Sequence, residues 1–363
     1  MPPEDALTPP VTNLAELERP ALEAWLGNLG HPRFHASQIF RWIYTRGLVD
    51  AEAMTDLPRI LRRTLVERAT MATPAIVRQE TSSDGTIKFL LHLADGREIE
   101  SVYIPDTPAQ TFCLSTQVGC AMGCTFCLTG RMGLVRHLTA GEIVGQVRVL
   151  ARETGLQHVA FNLVLMGMGE PLHNYDATMS ALRILADEHG FAITPRRVTL
   201  STVGVVPGLH RLASEPWIPN LAISLHATTD VQRSALVPLN KRYDLKALID
   251  ACRAFPLRHR DRITFEYVLL DQVNDSEADA RRLARLLTGI RAKVNLLPLN
   301  AAPGIAYARP SDERVDAFAR VLASHDLTVS VRKSRGRDIR AACGQLIVGG
   351  TGRSAAQHLA GAL

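Results

Sequence analysis

The sequence predicts an α/β protein in which strands alternate with helices behind a helical N-terminal region and a short β segment. From Gln110 onward, six short apolar runs alternate with amphipathic segments of helical period. Helical periodicity dominates from Asn13 to Ala72, and two Asp-Gly turn signals divide the stretch that follows. Strands joined by helical crossovers run parallel, and such a sheet can curl into a full or partial barrel. We therefore expect functional residues at the carboxyl ends of the strands.

The N-terminal region is predicted to contain a flexible, Pro-rich tail (1–11) and a helical accessory domain (12–72). Within that domain, residues 33–46 (RFHASQIFRWIYTR) mix arginines with aromatic residues, the types that bind phosphates and stack on bases. An amphipathic helix whose aromatic residues lie in the core explains the same pattern, and we favour it. The β linker (73–105) is expected to form an antiparallel meander with turns at Asp84-Gly85 and Asp95-Gly96.

The main domain is predicted to span residues 106–336, with a C-terminal segment at 337–363. Its first helix should begin at Thr139, because Thr139 and Glu142 form a capping box. The six expected strands read QTFCLS, HVAFNLVLMG, RRVTLSTVG, NLAISLHA, RITFEYVLL and KVNLLPLN.

The composition of the chain limits the classes of protein to which it can belong. The chain has no basic leader with an apolar run and no long apolar stretch, so we expect a cytoplasmic protein without a membrane partner. Six cysteines in such a chain indicate metal binding or thiol chemistry rather than a disulfide framework. The net charge of +5 suits a nucleic-acid partner.

The most informative motif is a C-x3-C-x2-C cluster formed by Cys120, Cys124 and Cys127. A structural zinc site needs four ligands, and His137, on the run into a helix, is the only candidate close by. An iron-sulfur cluster used only for electron transfer also takes four thiolates. Three thiolates leave one iron open to a reacting molecule.

Polar residues follow several predicted strands. After the second strand, Gly167 and Gly169 let backbone approach a ligand, and Glu170 can accept a hydrogen bond from an ammonium group. Other candidates at strand ends are Ser201, Ser224, Leu225, His226 and Asn300. Each alone is more often an ordinary loop residue, but together they form a plausible ring around a cosubstrate.

The cluster on the loop after the first strand resembles the radical S-adenosylmethionine (SAM) superfamily. That resemblance implies a partial (β/α)6 radical SAM barrel, a [4Fe-4S] cluster held by Cys120, Cys124 and Cys127, and SAM as cosubstrate. It also implies that Gly169 and Glu170 hold the SAM amino group. When SAM is bound to the open iron, its reductive cleavage yields a 5'-deoxyadenosyl radical.

Two further cysteines stand out. Cys113 lies on the first strand, and Cys343 follows Arg335, Arg337 and Arg340, whose charges would favour a thiolate if they are near it. We predict that Cys252 is a buried residue of an amphipathic helix.

With these residues, the chain from Leu14 to Leu346 resembles the RlmN branch of radical SAM RNA adenine methyltransferases. The stretches that carry this resemblance are CLSTQVGCAMGCTFC, GMGEPLHNYD, RRVTLSTVGVVPGL, ISLHA, VNLLPLN and RKSRGRDIRAACGQL. Related enzymes of the antibiotic-resistance branch modify adenine C8 instead of C2. The family acts on an adenosine of 23S rRNA and, in some members, on an anticodon-adjacent adenosine of tRNA.

The resemblance implies a mechanism that consumes two SAM molecules. Cys343 is methylated by one SAM, and the radical derived from the second removes hydrogen from that methyl group. The carbon then adds to adenine C2, Cys113 attacks the Cys343 sulfur, and Glu100 is the base that accepts the C2 proton. An electron donor of flavodoxin or ferredoxin type and a thiol reductant are implied as partners.

Candidate RNA contacts are Arg59–Arg63 and Arg258–Arg262. Two alternatives stay open from the sequence: a C8-directed methyltransferase, and a non-catalytic RNA-binding protein with a structural metal.

Overall fold

A computed structural model describes residues 11–105 and 109–348 of the chain. Most of the expected N-terminal tail and the last part of the C-terminal segment lie outside these ranges. The described chain divides into two compact units. The first contains residues 11–74, 139–160 and 176–193, and the second contains 75–105, 109–138, 161–175 and 194–348.

The strands of the described chain are β1 (Thr12–Asn13), β2 (Ala69–Thr70), β3 (Ala75–Thr81), β4 (Ile87–His92), β5 (Glu98–Ile104), β6 (Thr111–Cys113), β7 (Gln117–Cys120), β8 (Gly133–His137), β9 (Asn162–Leu165), β10 (Val198–Thr202), β11 (Asn220–Ser224), β12 (Ile263–Leu269), β13 (Ala292–Pro298) and β14 (Thr328–Val331). Its helices are α1 (Arg19–Asn28), α2 (His35–Phe40), α3 (Arg59–Arg68), α4 (Leu128–Arg131), α5 (Ala140–Glu153), α6 (Tyr175–Ala186), α7 (Val206–Ala213), α8 (Asp230–Leu236), α9 (Leu245–Ala254), α10 (Glu277–Leu286) and α11 (Asp312–Ala323).

The first unit is helical, with a core made from the apolar sides of α1, α2 and α3. Phe40, Trp42 and Tyr44 are buried, so the aromatic residues of the 33–46 segment belong mainly to the core, as we favoured. Phe34 is the exception and is exposed. The aromatic pattern therefore does not mark a base-stacking surface.

Two later segments also belong to the first unit, although the sequence analysis placed them in the main domain. Helix α5 begins at Thr139 with the predicted capping box. The carboxylate of Glu16 accepts hydrogen bonds from the Thr139 hydroxyl and from the Gly141 amide at 2.9 Å. Contacts of this kind between distant parts of the chain leave no periodic signal in the sequence, which explains the difference.

The second unit is built on one ten-stranded sheet in the order β14-β13-β12-β11-β10-β9-β6-β5-β4-β3. Within this sheet β6 and the strands from β9 to β14 pair in parallel, which confirms the parallel α/β core. The six expected strands are β6 and β9 to β13. Strand β14 is a seventh, which the sequence analysis missed because its four residues are mostly exposed.

The expected antiparallel meander is present as β3, β4 and β5. It does not stand apart as a linker, because β5 pairs with β6 and the meander continues the main sheet. A separate hairpin of β7 and β8 was not predicted. His137 closes β8 and therefore belongs to a strand that ends just before helix α5.

None of the helices in the described part of the chain combines the length and the apolar character that crossing a membrane requires.

Candidate active site

A large cavity lies at the carboxyl ends of the parallel strands of the second unit. Its empty space, including the part open to solvent, is about 1030 Å³. Eleven of the residues singled out from the sequence line it: Cys120, Cys124, Cys127, Gly167, Gly169, Glu170, Ser201, Ser224, His226, Asn300 and Cys343. Glu100, Cys113 and Leu225 are absent from its wall.

The β7–β8 hairpin holds the loop that carries the three clustered cysteines. Cys120 ends β7 and pairs with Gly133, while Cys127 directly precedes α4. Gly119 has a φ of +76°, and a Cβ there would lie 1.9 Å from the Gly133 carbonyl oxygen. Only glycine fits this close approach of the two strands, so the hairpin itself fixes where the cysteine loop begins.

Apolar residues surround this loop. Cys124 packs in a buried cluster with Leu236, Val268 and Leu299, and Phe126 lies against the same cluster. Burial raises the pKa of the Cys120 thiol to about 12 and that of Cys124 well above its usual value, and the neighbouring thiols add to the shift at Cys124. Without a cation these thiols stay protonated at neutral pH, whereas a bound metal centre would hold them as thiolates.

The donor set suits an iron-sulfur cluster. Three soft thiol ligands converge on one cavity, where burial limits water. Among the described residues, no group of three or more Cys, His, Asp or Glu side chains is arranged around a single-ion position.

The glycine-rich loop after β9 packs closely on the chain that follows β6. A Cβ on Gly169, whose φ is +104°, would lie 2.6 Å from the Cβ of Gln117. Glu170 follows, and burial raises the pKa of its carboxyl to about 7. Its two oxygens accept the backbone amides of Leu172 at 3.0 Å and Val203 at 2.9 Å. The carboxyl is thus held rigidly at the cavity wall, with lone pairs left for a ligand.

The ends of β10 and β11 contribute a polar layer. The hydroxyl oxygens of Ser201 and Ser224 are 3.4 Å apart. His226 has a positive φ of 61° and accepts the Val268 amide on Nδ1 at 3.1 Å. Burial lowers the pKa of His226 to about 3, so the neutral ring carries its proton on Nε2 and can donate there. Leu225 differs, because its side chain is fully buried in the core.

Cys113 and Cys343 are far apart in the sequence but interact electrostatically in the second unit. Cys113 is buried, and burial raises the pKa of its thiol to about 12, with a further contribution from the charge of Cys343. The positive charge of Arg332 lowers the pKa of Cys113 and so opposes this rise. The pKa of Arg332 is itself raised, first by Cys343 and then, after the opposing effect of burial, by Glu266 and Cys113. Cys343 is exposed.

The segment around Cys343 is attached by hydrogen bonds to several parts of the second unit. The carbonyl oxygen of Gly344 accepts the Leu128 amide at 2.8 Å, which joins the segment to the start of α4. The carbonyl oxygen of Leu346 accepts the hydroxyl of Thr129 at 2.6 Å. Gln345 donates to the carbonyl of Ala301 at 3.0 Å. Cys343 is thereby held beside the loop of the clustered cysteines.

Glu100 lies in β5, where its side chain is almost fully buried. One carboxylate oxygen pairs with the Lys88 ammonium at 3.0 Å, and the other accepts the Ile347 amide at 2.9 Å. Burial raises the pKa of Glu100, although Lys88 opposes the rise. The carboxylate thus joins the meander to the Cys343 segment and is not part of the cavity wall.

The sequence analysis missed three residues of this region. Arg233, fully buried, donates to the carbonyls of Leu225 at 3.1 Å and Val203 at 2.6 Å, and so supports the strand ends that carry the polar layer. Glu266 and Arg332 both line the cavity. Glu266 alone carried a usable signal, because a carboxylate within the apolar strand RITFEYVLL demands a partner.

Comparison with known proteins agrees with this geometry. A model of the radical SAM superfamily matches residues 114–284. A model described as the ribosomal RNA large subunit methyltransferase N-terminal domain matches residues 12–71. The parallel sheet with a thiol-lined cavity at its carboxyl edge, together with the first match, defines a radical SAM enzyme.

Similar proteins identify the family within the class of radical SAM enzymes. A dual-specificity RNA methyltransferase RlmN of Anaeromyxobacter dehalogenans (strain 2CP-C) is 48% identical, covering 98% of each chain. An enzyme with the same name from Anaeromyxobacter sp. (strain Fw109-5) is 50% identical, covering 94% of this chain and 92% of its own. A crystal structure of a radical SAM methyltransferase from Sphaerobacter thermophilus is similar with a TM-score of 0.88 and 49% identity, covering 92% of this chain and 99% of its own. The chain belongs to the RlmN family of radical SAM RNA methyltransferases.

Proposed function

We propose that this enzyme methylates C2 of an adenosine in 23S rRNA, and of an anticodon-adjacent adenosine in tRNA, through a methylated Cys343. The observation that carries the proposal is that an unclustered cysteine, Cys343, lines the cavity of the clustered ones. A second, Cys113, is buried behind the wall, where it hydrogen-bonds with the backbone of Met166, a lining residue. A methyltransferase that acted by direct transfer would have no use for this second pair of thiols.

In this proposal, Cys120, Cys124 and Cys127 hold a [4Fe-4S] cluster, and Gly169 and Glu170 hold the SAM amino group. Ser201, Ser224, His226 and Asn300 surround the remainder of SAM, and the backbone at Leu225 supports this ring. When bound, the cluster supplies the electron that cleaves SAM to a 5'-deoxyadenosyl radical.

Cys343 is the proposed methyl acceptor. Adenine C2 is electron-poor, so it cannot attack the methyl group of SAM directly, whereas a thiolate can. Its sulfur forms the new bond to carbon, and the bond between that carbon and the SAM sulfur breaks with its electron pair. Exposure of Cys343 leaves it open to the approach of both SAM and RNA.

Cys113 is the proposed resolving residue. After the methylene carbon has joined adenine C2, Cys113 attacks the Cys343 sulfur, the bond from that sulfur to carbon breaks, and a disulfide forms. The released carbon takes up a proton to become the methyl group, and the unpaired electron leaves to a one-electron acceptor, a role that an iron-sulfur cluster would supply. A cellular thiol then reduces the disulfide. Because burial keeps Cys113 protonated, the positive charge of Arg332 is the feature of this chain that favours its thiolate.

Glu100 is the proposed base for the C2 proton. Lys88 stabilises its ionised form at 3.0 Å. Since the other carboxylate oxygen accepts the Ile347 amide, the role requires that the Cys343 segment release Glu100 during the cycle. An adenosine in a helix cannot reach the cavity, so the substrate base must be unstacked.

The reaction also needs an electron donor, which we propose to be of flavodoxin or ferredoxin type. With ribosomal RNA as substrate, the proposed place of action is the cytoplasm. Membership in the RlmN family excludes the non-catalytic alternative, and the C8-directed alternative is separated by product analysis.

The decisive experiment is mass spectrometry of the Cys113→Ala protein expressed with added iron in cells that contain ribosomes. We expect RNA attached through a methylene group to Cys343. Digestion of rRNA methylated by the wild-type enzyme should yield 2-methyladenosine rather than 8-methyladenosine. A Cys113→Ala protein with a full cluster but neither methyl nor RNA on Cys343 would refute the methylcysteine route.

The Cys252→Ala variant is the matched control, because Cys252 is buried in α9 and absent from the cavity wall. It should carry the normal Cys343 methyl and no attached RNA. RNA attached in both variants would show that attachment does not report the role of Cys113.

A further inference from the structure

The first unit contains a pocket of its own, and nothing in the proposed reaction uses it. Its empty space is about 340 Å³, including the part open to solvent. Its polar lining consists of Tyr44 from the segment after α2, Thr73, Arg148 and Arg152 from α5, and Gln157. All five belong to the first unit. These side chains can all donate hydrogen bonds, and the pocket wall holds no acidic residue.

Arg148 is the unusual member of this pocket. The residue is 6% exposed, and all three nitrogens of its guanidinium are buried without a hydrogen-bond partner in the described structure. The Tyr44 hydroxyl is likewise buried without a partner. The aromatic ring of Tyr44, 5.9 Å from the guanidinium carbon, is the contact that Arg148 does have. Burying a charge without hydrogen bonds is costly, so such a group indicates a ligand.

The acidic groups nearest this pair are already engaged elsewhere. Glu16 and Asp187 act electrostatically on Tyr44. Glu16 accepts the Gly141 amide at 2.9 Å, and Asp187 pairs with the Arg19 guanidinium at 2.8 Å. Neither carboxylate bonds Arg148 in the described structure.

Arg148 stays charged in spite of its burial, because a pKa lowered to about 10 is still well above neutral. Arg152, on the same helix, adds a second positive charge. The Arg152 side chain is 51% exposed and pairs with Glu153 at 2.9 Å on the surface. The pocket wall therefore combines a buried cation with an exposed one, a combination that favours an anion.

We propose that this pocket binds a phosphate group of the RNA backbone. The inference rests on the proposed RNA substrate and deepens it by naming one contact. An arginine fork suits two phosphate oxygens, and the Tyr44 hydroxyl can donate to a third. An RNA phosphate is favoured over a free anion because residues 12–71 of this unit, which include Tyr44, match an N-terminal domain of ribosomal RNA methyltransferases.

The test uses the full-length, cluster-loaded enzyme and a transcribed fragment of large-subunit rRNA that contains the target adenosine. Arg148→Gln removes the charge, and Tyr44→Phe removes only the hydroxyl. The matched control is Arg183→Gln, which removes one positive charge from the same unit at an exposed position paired with Glu18. RNA affinity is measured over a series of salt concentrations, and SAM cleavage is measured without RNA.

We expect Arg148→Gln to bind the RNA about 10-fold more weakly and to lower the slope of log K against log salt by about 0.7 to 0.9, the value for one phosphate contact. Tyr44→Phe should weaken binding roughly twofold to fivefold without changing the slope. Arg183→Gln should change neither by more than about twofold. RNA-independent SAM cleavage should be the same in all four proteins.

Arg148→Gln and Tyr44→Phe proteins that bind RNA with wild-type affinity and slope overturn the proposal, whatever their thermal stability. If Arg148→Gln does not fold, Tyr44→Phe decides the outcome alone. Binding of inorganic phosphate that is lost in Arg148→Gln, with RNA affinity unchanged, would assign the pocket to a free anion and also overturn the proposal. Failure of the wild-type enzyme to methylate RNA would refute the proposed function instead. That failure is distinguishable, because the phosphate contact is judged from RNA affinity and its salt dependence and not from methylation.

Discussion

The two segments that bring thiols to the cavity are held in opposite ways. The loop of Cys120, Cys124 and Cys127 is enclosed by a hairpin and packed in apolar side chains. Cys343 is exposed, and its segment is attached through backbone and side-chain hydrogen bonds to the start of α4, to the meander and to Ala301. Apolar packing opposes displacement of the loop as a whole, whereas each hydrogen bond of the Cys343 segment contributes only about 0.5 to 1.5 kcal/mol and can be broken singly. The difference suits a fixed metal site beside a thiol that must meet several partners in turn.

The largest effect is expected from the fixed segment. Cys120→Ala should lose the iron-sulfur cluster and all SAM cleavage, because two thiolates cannot hold a cluster designed for three. Iron and sulfide content and the visible absorption spectrum check this in anaerobically purified protein. Cys252→Ala is the control and should keep both. An intact cluster in Cys120→Ala would remove Cys120 from the ligand set.

Next in size is the loss expected from the exposed thiol. Cys343→Ala should form no RNA product and carry no protein-bound methyl group, yet keep its cluster and its SAM cleavage. This variant distinguishes the proposed roles of the two segments, because it removes the methyl acceptor and leaves the three cluster cysteines unchanged. Mass spectrometry of the intact protein and quantification of 5'-deoxyadenosine give the two readouts. Loss of the cluster as well would show that the segments are not independent.

The same substitution in each segment compares how tightly they are packed. In Gly119→Ala the new Cβ would lie 1.9 Å from the Gly133 carbonyl oxygen, so the hairpin must open. In Gly344→Ala, at a φ of +79°, the nearest atom is the Phe126 carbonyl oxygen at 3.4 Å. We expect most cluster loading to be lost in Gly119→Ala. Gly344→Ala should keep the cluster, with conformational strain of about 1 kcal/mol.

That strain corresponds to a reduction of roughly fivefold in methyl transfer to Cys343. Iron content and the initial rate of Cys343 methylation distinguish the two variants. Gly96→Ala, at a meander turn where a Cβ meets no atom within 4 Å, controls for the positive φ alone. Equal cluster loading in Gly119→Ala and Gly344→Ala would contradict the contrast between the segments.

The smallest effect is expected where a surface turn holds the exposed segment. Asp338 accepts the Ser82 hydroxyl at 2.5 Å and the Ser83 amide at 3.1 Å. Asp338→Ala should lower the rate of Cys343 methylation by roughly twofold to threefold, because one attachment is lost while several remain. Asp95→Ala, at the other meander turn and paired with Arg136, is the control. A larger loss than that of Gly344→Ala would reverse the ranking.

The Asp338 contact also predicts a pH dependence. The hydrogen bond from Ser82 lowers the pKa of Asp338 below its usual value. The carboxylate and its contribution are therefore fully present above the ordinary pKa of aspartate and are lost only as the pH falls through the lowered value. The ratio of Asp338→Ala to wild-type rates should be constant near neutral pH.

Local features were predictable because each depends on neighbouring residues. The capping box at Thr139, the Asp-Gly turns of the meander and the six apolar strands all follow from residue type and spacing over a few positions. The same holds for the choice of Cys120, Cys124 and Cys127 as one site, since seven or eight residues of chain cannot separate them far. Strand β14 was not predicted, because it is only four residues long and those residues are mostly exposed.

Contacts across the fold decided the rest. Nothing in the chain between Cys113 and Cys343 encodes their electrostatic interaction, which results from the register of β6 and the attachments of the C-terminal segment. The engagement of Glu100 by Lys88 and Ile347, and the support of two strand ends by Arg233, likewise join distant segments. The sequence alone determined which chemistry the chain carries, because thiols, glycines and carboxylates keep their chemistry wherever they lie. Only the tertiary structure decided which of them meet and which stay partnerless, as at Arg148, because those outcomes depend on packing between elements and not on the period of any one element.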